Sequence, residues 1–184
     1  MRPKVELEAQ PKPFDQKWRE VVLASGQAET DEDYSQIDEA LVPELAEKIS
    51  DKADVEFLLE RMTEDTEPEW VVRDAAVAAL NSDAVMKRVD ELGVRDQVKT
   101  VMELALVRDS FPWIPANAMN WLLTYSDPDN TRRRAITETF KDKVEAMAGD
   151  PHNKFSQKWD KSTLAADVGF LAEIPEISDW LTEE

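Results

Sequence analysis

Residues 55–80 read Val55-Glu56-Phe57-Leu58-Leu59-Glu60-Arg61-Met62-Thr63-Glu64-Asp65-Thr66-Glu67-Pro68-Glu69-Trp70-Val71-Val72-Arg73-Asp74-Ala75-Ala76-Val77-Ala78-Ala79-Leu80. In the first part Val55, Leu58, Leu59 and Met62 recur at three- and four-residue spacing, which puts them on one face of a helix. Thr63 to Glu67 is polar and short, so it reads as a turn. Pro68 follows where a first-turn proline is tolerated, because its missing N–H would have no helical partner there. From Trp70 to Leu80 the chain is apolar and rich in alanine, a strong helix former. The stretch therefore predicts two short helices, 55–62 and 70–80, folded back on each other.

Working outward, the same periodicity continues. Glycine is scarce, at 4 residues, and the alternation expected of strands is nearly absent. The chain reads as all-α, built of antiparallel helix pairs, with about eight helices. Phe14, Trp18, Val21 and Val22 give a segment over 14–24 one apolar face. Ile37, Leu41, Leu45 and Ile49 do the same over 34–49, where Pro43 must kink or split the helix. Further helices are expected over 84–92, ended by Gly93, and over 96–107, 116–125, 131–148 and 163–172, with one more turn over 175–181. Ser110 to Pro115 reads as an apolar loop, and Asp150 to Ser162 as polar loop or short turns. At 184 residues, one all-α domain over 13–184 is expected, behind a flexible tail over 1–12 that carries Pro3 and Pro11.

Glu67 to Leu80 resembles the second helix of a HEAT-type repeat, with a turn proline, Val72-Arg73, Ala75-Ala76 and Ala79-Leu80 in the matching places. Val55 to Met62 is similar to the first helix of such a unit, so the resemblance covers mainly 53–81. A fainter echo spans 116–140, where Pro128 precedes Arg133 by the same five residues that separate Pro68 from Arg73. Arg132 stands there in place of the valine and departs from the pattern. The resemblance implies a HEAT-like α-solenoid, which an irregular helical bundle opposes as the plainer architecture. It also implies that Arg73 reaches back to acids in the turn or to a neighbouring unit.

Charge is the dominant compositional signal. There are 40 acidic residues against 22 basic ones, for a formal net charge of -18. Residues 20–69 hold 17 acids and 3 bases, whereas residues 130–161 hold 8 bases and 5 acids. Direct DNA binding is disfavoured, because it depends on basic groups displacing counterions from phosphates. A protein partner with a basic surface is favoured by the same logic. With no cysteine and one histidine, disulfide scaffolds, cysteine nucleophiles and imidazole-rich zinc sites are excluded. No apolar run is long enough for a membrane span or resembles a signal peptide, so a cytoplasmic protein is expected. No glycine-rich phosphate loop or dinucleotide fingerprint is present, and no cofactor, metal ligand set or catalytic residue is expected.

The candidate partner-binding residues are Glu29, Asp31, Glu32, Asp33, Asp38, Glu39 and Trp113. The acids are the densest part of the acidic segment. Trp113, between Pro112 and Pro115, is either buried between helices or presented as a binding anchor, with burial favoured. Arg132-Arg133-Arg134 opens a helix whose dipole repels cations, and pairing with acids of the same chain is the favoured explanation. His152, in a polar loop, is expected to be exposed.

These features point to a non-enzymatic interaction module, of the inhibitor or immunity kind, that blocks a basic site on its partner. A sharper form is a DNA mimic, with carboxylates spaced like phosphates. The alternatives are a HEAT-like adaptor or scaffold and, last, a helical enzyme such as a HEAT-like DNA glycosylase. An enzyme would show a pocket holding a carboxylate of raised pKa.

Overall fold

The computed structural model describes residues 11–183. The expected tail over 1–12 lies outside the described residues, apart from Pro11 and Lys12, which lead into the first helix. Among the described residues there are ten helices and no strand, and the molecule is an all-α irregular helical bundle.

The helices are α1 (Pro13–Gln27), α2 (residues 31–48), α3 (Lys52–Glu60), α4 (Trp70–Leu80), α5 (Asp83–Leu92), α6 (Arg95–Arg108), α7 (residues 113–126), α8 (Arg133–Ala148), α9 (Lys161–Asp167) and α10 (Pro175–Thr182). Two short 3-10 turns, Ser156–Trp159 and Gly169–Glu173, flank α9.

Ten helices replace the expected count of about eight. The C-terminal segment accounts for part of the difference. The helix expected over 163–172 stops at Asp167, where Val168 leaves the helical region at φ -126 and ψ 76, and the chain tightens into a 3-10 turn. Beyond it α10 is a full helix that buries Ile177 and Trp180, not a single turn. The apolar loop expected over 110–115 is shorter than expected, because α7 already begins at Trp113. Pro115 is tolerated there since first-turn N–H groups have no helical partner.

Pro43 does not split α2: the backbone stays helical from Gln36 through Val42. The helix absorbs it with a π-turn, Ile37–Leu41, in which the Val42 N–H reaches back to the Ile37 carbonyl before Pro43, which has no N–H to give. At the other end of α2, Thr30 and Asp33 form a reciprocal capping box.

α4 is the centre of the bundle. Ala75, Ala76, Val77, Ala79 and Leu80 are all buried, and the small side chains let α1 and α7 approach it closely. α6 and α7 pack along each other, α8 lies over both, and α10 closes on α8. Trp121, Trp159, Phe14 and Phe140 fill the core, each contributing roughly 1.5–3 kcal/mol by leaving water.

Arg73 is fully buried on α4 and ties three pieces together. It donates to the Glu67 and Pro68 carbonyls at 2.9 and 2.9 Å, and forks onto both oxygens of Asp109 at 2.7 and 3.1 Å. Glu64 adds a longer contact at 3.4 Å. The expected reach back to the turn is therefore mainly to backbone oxygens, and Asp109 at the end of α6 takes the charge. Two of the three arginines at the start of α8 are paired within the chain, Arg132 with Glu103 at 3.1 Å and Arg133 with Glu176 at 2.7 Å, whereas Arg134 has no ion-pair partner among the described residues. No helix of the described residues is long and apolar enough to cross a membrane.

Candidate functional site

Three helices contribute residues spaced four apart to one cleft: Tyr34 and Asp38 from α2, Asp74 and Ala78 from α4, Trp113 and Asn117 from α7. A four-residue step keeps two side chains on the same side of a helix, so each helix presents one edge. The α1–α2 loop adds Glu29, and the segment from Ala166 to Phe170 closes the far side. The cavity measures about 360 Å³.

One wall is aromatic. Tyr34 meets Trp113 edge to face at 6.1 Å, and Trp113 meets Trp70 in the same way at 5.8 Å. Trp70 in turn stacks on Phe111 at 4.1 Å. The ring of Trp113 is thereby fixed from two sides. Its indole N–H is buried and has no hydrogen-bond partner among the described residues.

The other wall is acidic. Asp74 is only 7% exposed, yet its one hydrogen bond is a long one, from Asn117 Nδ2 to Oδ1 at 3.5 Å. Its Oδ2 has no partner among the described residues. Burial first, then the charges of Asp38 and Asp109, push this carboxyl up to about 7, while the Asn117 contact works the other way. Asp38 is also raised, by partial withdrawal from water and then by Glu39. Burial, then the charges of Asp74 and Asp33, raise the Tyr34 hydroxyl.

The structure thus brings Glu29, Asp38 and Trp113 together and separates them from the other sequence candidates. Asp33 is a capping residue, accepting from the N–H groups of Glu29 and Thr30 at 3.0 and 2.9 Å and from the Thr30 hydroxyl at 2.9 Å. These bonds, the Glu29 N–H first, hold its carboxyl below the usual range. Glu32 and Glu39 are exposed on α2 outside the cleft. Asp31 begins α2, and its side chain lies outside what the structure describes. Trp113 is half-buried, so it is both packed and accessible from the cleft. His152 is exposed.

Asp74, Tyr34 and Asn117 were not singled out by sequence. Asp74 carried a signal: it is an acid set within the apolar, alanine-rich run of α4, next to Ala75-Ala76-Val77. Size does not single out this cleft. A groove of about 580 Å³ runs past Trp18, Leu23 and Phe57, and a cavity of about 130 Å³ lies behind the 63–65 turn. In the small cavity Glu64 and Asp109 are already bonded to Arg73.

Among the described residues, none of Glu29, Glu32, Asp38 and Glu39 has a basic group within ion-pair distance, whereas Lys17, Arg73, Arg95, Arg132, Arg133 and Lys158 are all paired. No group of three or more His, Asp or Glu among those residues is arranged to hold a metal ion. Fold and site together define an all-α bundle with an acidic and aromatic cleft. No protein-family model, curated protein or solved structure matches the chain.

Proposed function

We propose that the chain is a non-enzymatic interaction protein that binds a partner through a basic surface on that partner. The observation that carries this reading is the unmatched charge of the first half of α2 and the loop before it; farther along the helix Glu44 is paired with Lys17. Among the described residues Glu29, Glu32, Asp38 and Glu39 have no ion-pair partner, while six of the nine arginines there are already engaged. Acids left unpaired on one face steer and orient a basic partner, and apolar contact supplies much of the affinity. Trp113, fixed by Tyr34 and Trp70, supports such an anchor at the cleft. An inhibitor or immunity-type role follows if the basic surface is the partner's working site. It becomes DNA mimicry if that site binds nucleic acid.

The test is capture of the partner by the wild-type chain and by the quadruple variant E29Q/E32Q/D38N/E39Q. Loss of capture by a variant that still unfolds cooperatively supports the reading. Equal capture by both proteins rejects it. Release of the captured partner by duplex DNA selects the mimicry form.

A second reading rests on Asp74. A carboxyl raised to about 7 in a cleft is suited to general acid catalysis, with Asp38 as the second acid. The first reading accounts for more, because the acidic surplus of 17 acids against 3 bases over residues 20–69 extends far beyond the cleft. The HEAT-like resemblance stands beside both as a proposal, supported by consecutive helices α3 and α4 joined through a proline-bearing turn that Arg73 grips.

A further inference from the structure

We infer that the cleft between α2, α4 and α7 is a receptor for a single arginine side chain presented by the partner, with Asp74 as its acceptor and Trp113 as its platform. This deepens the reading above and rests on it for the source of the arginine.

Four observations meet here. Asp74 is 93% buried by the complement of its 7% exposure, and Oδ2 has no donor among the described residues. A carboxylate so largely buried, with one long donor from Asn117 and its other oxygen open only to the cleft, is poorly satisfied within the chain, so the geometry points to a donor that arrives from outside. Second, the other charged residues lining the cleft are acids, Glu29, Asp38 and Asp167, of which only Asp167 is paired, with Lys158 at 2.9 Å. The nearest arginine on α4, Arg73, is spent on Asp109. Third, Trp113 and Tyr34 line the cleft, and an aromatic face attracts a guanidinium more than a neutral group. Fourth, the cavity of about 360 Å³ has room for one long side chain and not for a folded element.

Arginine fits this set better than lysine. Its planar fork can give two parallel hydrogen bonds to one carboxylate while its face lies against an indole. An ammonium group offers a point charge without that plane. The guanidinium has donors only, so Trp113 acts through its ring and its N–H takes no part.

The test uses the full chain and N-acetyl-arginine N-methylamide, whose only charge is the guanidinium. The readout is the indole N–H resonance of Trp113. We expect saturable shifts with this probe. The citrulline counterpart, of the same shape without the charge, should bind about tenfold or more weakly. D74N should weaken the arginine probe by a similar factor of about ten while leaving the spectrum of the fold intact. D38N provides a second variant, with a smaller loss expected. Equal binding of arginine and citrulline probes overturns the proposal, as does an unchanged affinity in D74N. Tighter binding of the lysine counterpart overturns the choice of guanidinium.

Failure here is distinguishable from failure of the parent reading. If E32Q/E39Q, outside the cleft, loses partner capture while D74N neither loses capture nor weakens the arginine probe, the acidic surface stands and the cleft proposal falls. If the probe binds in an Asp74-dependent way but the acidic variants capture the partner normally, the cleft proposal stands and the surface reading falls.

Discussion

Asp74 and Arg73 are neighbours in sequence and opposites in energetic role. Asp74 is a buried acid lacking a cation, and its carboxyl is raised from an ordinary 3.8 to about 7. A group with a higher pKa in the folded state than in the unfolded state binds its proton more tightly when folded. Its stabilising contribution is therefore complete below about 4 and is lost as pH rises through about 7. We expect D74N to raise the melting temperature at pH 8, by a stability difference of a few kcal/mol at about 1.4 kcal/mol per tenfold, and to change it little at pH 4. A D74N protein less stable than wild type at pH 8 would contradict this. Arg73 is the reverse case, a buried cation with every nearby acceptor in use. Removing one partner leaves a buried charge unmatched, so D109A should cost about 3–5 kcal/mol in a urea titration. A loss of under about 1 kcal/mol would mean that the pair is not buried in solution.

At the scale of elements, most helices were legible because their apolar spacing and their stop signals agreed. Gly93 illustrates this. It ends α5 with φ 68, a left-handed conformation, and no atom stands within 4 Å of where a Cβ would go. G93A should therefore cost about 1 kcal/mol through backbone strain alone, read as a lower melting temperature. An unchanged melting temperature would show that the cap relaxes. What sequence did not show was how the chain absorbs its irregularities. Pro43 announces a break in the hydrogen-bond ladder, but whether the helix kinks or bulges depends on packing around Ile37, Val42 and Leu45, which are buried by other helices. α9 stops after Asp167 at the buried Val168, and Gly169 just beyond is the stop signal that the apolar residues Phe170 and Leu171 obscured in the sequence. The cleft was half legible for the same reason. Glu29, Asp38 and Trp113 stand out by charge and by proline neighbours, whereas Asp74 becomes a site residue only because α2 and α7 close over it.

At the scale of the molecule, a net charge of -18 sets the behaviour. Glu29, Glu32, Asp38 and Glu39 lie close together in the chain with no ion-pair partner among the described residues, and salt screens their mutual repulsion over a Debye length of about 10 Å at 0.1 M. We expect the melting temperature to rise from low to moderate salt, and a fall would mean that the ion pairs of Arg95, Arg132 and Arg133 outweigh the repulsion. The same screening acts on a partner. The most direct measurement is capture of the partner from native lysate by the full chain at low and at high salt, with the bound protein identified by mass spectrometry. The account predicts a basic protein that is held at low salt and lost at high salt. A partner retained at high salt would contradict it, and would move the interaction from the acidic face to an apolar surface such as the groove beside Trp18 and Leu23.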